Sequence, residues 1–76
     1  MAIKKHPIGV TLAKIRQNMG LSQEYVADQL GYDQSYVSKS ETGNRQISAE
    51  EFAKWCSVLN LDDRSVIRIL KGETYE

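Results

Sequence analysis

Cysteine is nearly absent from this chain. The one thiol, Cys56, excludes an intramolecular disulfide and any cysteine-based zinc cluster. A reducing, cytoplasmic setting is therefore expected. Long apolar runs are missing too. No stretch approaches the ~18 residues of a membrane span, and the first residues lack the apolar core of a secretory signal. No membrane partner is expected. The single histidine, His6, has no second histidine or acid at ligand spacing, so no metal site and no cofactor are expected. No nucleophile–base pair, glycine-rich phosphate loop or paired catalytic carboxylates can be assembled, which argues against an enzyme. An excess of charge is lacking as well. The 10 Lys and Arg offset 10 Asp and Glu. Counterion release scales with the number of basic contacts, so neutrality predicts weak non-specific affinity for a polyanion.

What the chain does have is a helical period. Its 76 residues are 41% hydrophobic, enough for one folded domain. A core of this size contributes about 3–5 kcal/mol, and self-association would add to it. No alternating β pattern, internal repeat or low-complexity stretch occurs. Ile8, Leu12, Ile15 and Met19 fall at i, i+4, i+7 and i+11, one stripe of a first helix. Pro7 suits its start, and Gly20 permits the left-handed residue that ends it. Gly31, Gly43 and Gly72 punctuate later helices in the same way. Ser22 and Asp33 stand where N-caps belong for helices over 22–30 and 34–41. Ser48-Ala49-Glu50-Glu51 reads as a capping box for a fourth helix, 49–59, with Phe52, Trp55, Cys56 and Leu59 inward. Asn60 or Asp62 can cap a fifth, about 63–71, with Val66, Ile69 and Leu70 apolar. The predicted fold is all-α: an arm over 1–7 carrying solvated Lys4, Lys5 and His6, a five-helix domain over 8–71, and a polar tail over 72–76.

The segment 21–43, LSQEYVADQLGYDQSYVSKSETG, carries the chemistry. Two short helices joined by a glycine-containing turn form a helix-turn-helix layout. The second is too short and too polar to exist for packing alone. Val37 is its only clear apolar anchor, and its exposed groups suit the hydrogen-bonding edges of bases. The charges are segregated. Residues 1–23 hold Lys4, Lys5, Lys14 and Arg16 with no acid, whereas 24–33 hold Glu24, Asp28 and Asp33 with no base.

Leu21-Ser22-Gln23-Glu24, Val26-Ala27, Leu30-Gly31, Gln34 to Lys39 and Glu41-Thr42-Gly43 resemble the phage repressor/Cro-type (XRE-like) helix-turn-helix family. Small repressors and restriction–modification controller proteins belong to it. The resemblance spans residues 8 to 61. It implies a lambda repressor-like domain that binds double-stranded DNA as a homodimeric regulator, with helix three in the major groove of a palindromic operator. Gln34, Ser35 and Lys39 are the expected base readers. Gln bonds adenine, Ser several bases, and Lys guanine or a phosphate. Expected backbone contacts are Gln23, Tyr36, Ser38, Asn44 and Arg45. Gln23 sits at a helix N-terminus that attracts phosphate, and the likeness suggests that it also braces Gln34. Tyr36 has a second role open to it, packing on helix two. Arg16 likewise has two: a bridge to Glu41, as its family counterpart often makes, or a DNA contact.

Two positions depart from the family pattern. Ser40 replaces an apolar or aromatic residue, which loosens helix three. A leucine there is expected to stabilise the domain if the position is half-buried. Asp33 puts a negative charge near DNA phosphates where many relatives have Ser or Thr. Helix five has more apolar surface than a small core needs, so Val66, Ile67 and Leu70 are the expected dimer contacts, with Ile67 off the buried stripe. The alternative reading is a protein-interaction module, an antitoxin-like or anti-repressor partner on the same scaffold. Neutral charge favours it, while the polar face of helix three favours DNA.

Overall fold

The computed structural model describes residues 7–71. The arm residues Lys4, Lys5 and His6, and Gly72 with the tail, lie outside them. Five helices follow in order: α1 Pro7–Asn18, α2 Gln23–Leu30, α3 Gln34–Glu41, α4 Ala49–Leu59 and α5 Asp63–Leu70. The starts are chemical. Ser22 Oγ accepts from Tyr25 N, and Asp62 accepts from Ser65 N, each at 2.9 Å. Ser48 and Glu51 form the reciprocal capping box of α4. The hydrogen bond from Ser65 N holds the Asp62 carboxyl below its usual range. Asp33 differs from expectation. It occupies the N-cap of α3, but its side chain caps nothing. Of the two candidates before α5, Asp62 is the cap. Asn60 instead ends α4 in the left-handed region at φ 55°, which its short polar side chain tolerates.

The ends decide what is buried. α1 stops at Asn18, and the chain turns through Gly20 at φ +73°. Met19 therefore leaves the stripe assigned to it and lies 47% exposed, while Leu21 is half-buried against the core. Leu70, expected in the buried stripe of α5, is 61% exposed. Only Ile69 of that helix is fully covered, with Val66 half-buried. Cys56 is half-buried, not interior, and burial pushes its thiol pKa up. The core is Leu12, Ile15, Val26, Ala27, Leu30, Val37, Phe52, Trp55, Leu59 and Ile69, with Trp55 completely enclosed. Burial of such side chains contributes about 1.5–3 kcal/mol each before chain entropy is subtracted.

α3 is anchored more broadly than its sequence suggests. Val37, Ser40 and Glu41 are all buried, Ser40 with no exposed surface. The reason lies across the interface in α1. A Cβ on Gly9 would stand 1.8 Å from the Ser40 carbonyl oxygen. The two backbones touch because Gly9 has no side chain. Gly9 is thus a packing glycine, a role that helix punctuation does not reveal. The Ser40 hydroxyl is buried without a hydrogen-bond partner.

This contact can be tested by three substitutions. Gly9→Ala must push α1 off α3, and a melting curve should show a loss of about 1–3 kcal/mol, the range of overpacking. Ser40→Ala removes an unsatisfied hydroxyl and should be neutral or stabilising, by about 1 kcal/mol. Ser40→Leu should now lower the melting temperature. The half-buried site assumed for it is a closed one, and added bulk displaces α1. A Gly9→Ala protein as stable as wild type would show that the helices separate at no cost.

Candidate nucleic acid interface

The α2–α3 unit turns through Gly31, at φ +81°, and Tyr32 and Asp33. Its buried side faces the core, so its opposite side faces solvent. Gln34 and Ser35 are exposed in the first turn of α3, and Lys39 is exposed one turn further on. Among the described residues, none of these three side chains makes a hydrogen bond or ion pair. Their donors and acceptors are available to a ligand. Ser38 is half-buried beside them, and Asn44 is exposed in the following loop.

One buried ion pair fixes this face. Arg16 Nε donates to Glu41 Oε2 at 2.6 Å, and Nη2 donates to Oε1 at 3.0 Å. Nη1 donates to the Leu21 carbonyl at 2.6 Å. The side chains are 9% and 4% exposed. Arg16 therefore takes the structural role of the two open to it. Gln23 joins the same cluster, its Nε2 donating to Glu41 Oε1 at 2.9 Å. This corrects the expected brace to Gln34. The amide at the start of α2 is tied to the end of α3 instead, because Glu41 offers an anionic acceptor there.

A second cluster flanks the start of α3. The Tyr36 hydroxyl accepts from the Trp55 indole N–H at 3.2 Å, and its ring meets that of Tyr32 at 4.4 Å between centroids. Tyr36 thus bonds to α4 and meets the ring in the turn. Burial, above all, raises its pKa. Arg45 lies over the Tyr36 ring, 4.7 Å from its centroid, and its Nη1 donates to Glu51 Oε1 at 2.9 Å and to the Gln46 carbonyl at 3.0 Å. That hydrogen bond first, and the one from Ser48 N next, hold the Glu51 carboxyl below its usual range. Lys54 donates to the Tyr32 hydroxyl at 3.1 Å. The sequence marks Glu51 as a cap but not as the partner of Arg45. The signal for that role is the six-residue span from loop to first helical turn, and it is legible only once the loop path is known.

The residues expected to touch DNA thus divide. Gln34, Ser35, Lys39 and Asn44 are free and exposed. Gln23, Tyr36 and Arg45 hold structural partners. Among the described residues no cluster of His, Cys, Asp or Glu could hold a metal ion, and no helix is long and apolar enough to cross a membrane.

The buried pair sets up a direct test of the framework. Glu41→Ala leaves the Arg16 guanidinium buried and unpaired and should cost about 3–5 kcal/mol, close to the whole stability of so small a domain. Replacing both, Arg16→Met with Glu41→Leu, should recover much of that loss. Denaturant titration followed by circular dichroism reads both. A Glu41→Ala protein that unfolds at the wild-type midpoint would reduce the pair to a surface contact.

Comparison with known proteins agrees with this geometry. A family model described as helix-turn-helix matches residues 12–66, which takes in every helix from the second turn of α1 into α5. No curated protein matches the chain.

Proposed function

Because the chain belongs to the Cro/C1-type helix-turn-helix family of DNA-binding regulators, we propose that it acts as a sequence-specific regulator that reads an operator as a homodimer. The observation that carries this reading is the outer face of α3. Gln34, Ser35 and Lys39 are exposed and unpartnered there, on a helix whose other face is locked by Val37, Ser40 and Glu41. In helix-turn-helix docking the first residues of such a helix meet base edges, and the preceding helix crosses the backbone. Backbone contacts are assigned to Ser38, Asn44 and Arg45, which flank that face in sequence.

Few cations remain for DNA on this surface. Among the described residues Arg16 is consumed inside the domain, and Arg45 is partly offset by Glu51 at the surface. Binding should therefore depend on base contacts more than on charge, with a shallow salt slope. The interaction-module reading draws on the same neutrality. Retention on heparin or bulk DNA across a salt gradient separates the two, and selection from a random DNA pool gives the operator.

Gln34→Ala and Lys39→Ala are each expected to weaken specific binding by roughly 1–3 kcal/mol and to relax preference at one position per half-site. Full affinity with unchanged preference in both variants would remove α3 as the reader.

A single α3 covers too few base pairs for useful specificity, and a two-fold dimer would set two copies about 34 Å apart, one turn of DNA. Ile67 and Leu70 are 51% and 61% exposed, with Val66 half-buried beside them, and this apolar face of α5 is the proposed contact between copies. Sedimentation at micromolar concentration should show a wild-type dimer and an Ile67→Asp monomer. A monomeric wild type, or a variant that dimerises equally well, would move the interface elsewhere.

A further inference from the structure

Arg45 is held in a way that leaves a specific part of it unused. All its hydrogen bonds run through Nη1, to Glu51 and to the Gln46 carbonyl. The guanidinium carbon lies over the Tyr36 ring, 4.7 Å from its centroid. Among the described residues Nε and Nη2 bond to nothing, and the side chain is 43% exposed. The Nε–Nη2 edge is a fork of two parallel N–H donors, the geometry that grips a phosphate bidentately. Holding a flexible arginine by its other nitrogen and by a ring contact removes rotamer freedom before any ligand arrives, and that entropy is otherwise lost on binding.

Glu51 is itself fixed. Its Oε1 also accepts from Ser48 N at 3.0 Å, while Ser48 Oγ accepts from Glu51 N at 3.1 Å. The rotamer that caps α4 is the rotamer that holds Arg45. Tyr36 is fixed likewise, through Trp55. The clamp is thus built on α3 and α4 together, next to the proposed reading face.

We infer that Glu51 is a positioning residue for DNA-backbone binding, which presents the Nε–Nη2 edge of Arg45 to a phosphate oxygen pair. This rests on the proposed DNA reading. The opposite assignment, in which Glu51 sequesters Arg45 from DNA, uses the same ion pair but ignores the free edge. The two differ in the sign of one coupling. Glu51→Gln keeps the Oε1 acceptor that Ser48 N and Arg45 Nη1 share and removes the charge that strengthens the hold on Arg45. Its bulk electrostatic effect on DNA is read separately in an Arg45→Ala background.

The experiment measures affinity for the selected operator and for unrelated duplex at fixed salt, in wild type, Arg45→Ala, Glu51→Gln and the double variant. Circular dichroism checks that each is folded. Arg45→Ala should weaken binding roughly tenfold on both DNAs, as for a lost charge-assisted bond, and lower the salt slope by about one. In the Glu51→Gln protein the same substitution should matter less, about threefold. Arg45→Lys keeps the charge but lacks the fork, so it should keep the salt slope and still lose affinity. An Arg45 effect equal or larger in the Glu51→Gln protein, or full affinity in Arg45→Lys, overturns the positioning role while leaving DNA binding intact. A wild type that binds neither DNA overturns the DNA reading itself, and the clamp with it.

Discussion

The Arg16–Glu41 pair is the interaction on which the rest of this small domain depends. It joins the end of α1 to the end of α3, and through the Leu21 carbonyl and Gln23 it also takes in the start of α2. Three helices meet at one charged, buried knot. A buried ion pair adds little net stability when compared with apolar residues of the same shape. It is demanding about geometry, however. Four hydrogen bonds must close at once, and they close in one relative placement of α1, α2 and α3. A helix as polar as α3 has few apolar contacts to hold it, so directional bonds do what packing does elsewhere.

A second constraint acts on the same helix from α1. At Gly9 the α1 backbone comes against the Ser40 carbonyl. The departure at Ser40 and the glycine in α1 are two halves of one contact. A large residue at 40 would need more separation between the helices, and a side chain at 9 would forbid the contact outright. The unpartnered Ser40 hydroxyl is the remaining cost of filling that space with a small polar residue.

The Arg16–Glu41 and Arg45–Glu51 pairs also shape the electrostatics of the outer face. A neutral chain can still present cations to a polyanion if its acids are spent elsewhere, but here cations are spent too. Arg16 is neutralised in the interior and Arg45 at the surface. What remains on α3 is mainly neutral hydrogen-bonding groups with one lysine. Such a face suits base edges better than it suits a general attraction to phosphate. In the proposed reading, such a face would place the burden of recognition on geometry, which the buried pair and the Tyr36–Trp55 bond supply.

Most of the architecture was legible in the order of residues. Caps at Ser22 and Ser48, the left-handed glycines 20 and 31, and the period-3.6 stripes delimit the helices, because capping and helical periodicity are local physics. The solvent-facing positions of α3 were legible for the same reason: a helix that buries Val37 exposes Gln34, Ser35 and Lys39. Met19 and Leu70 were misplaced because the buried width of a stripe depends on what packs across it. The contact of Gly9 with Ser40, the tie of Gln23 to Glu41 and the hold of Glu51 on Arg45 were not legible. Each joins residues whose separation is set by how helices cross, and no local rule fixes a crossing. The sequence by itself determined which segments are helical, where they end and which short helix is polar enough to meet another molecule. Only the tertiary structure decided which arginine is consumed inside and which keeps a free edge, because charge pairing over long chain separations follows from the path of the backbone.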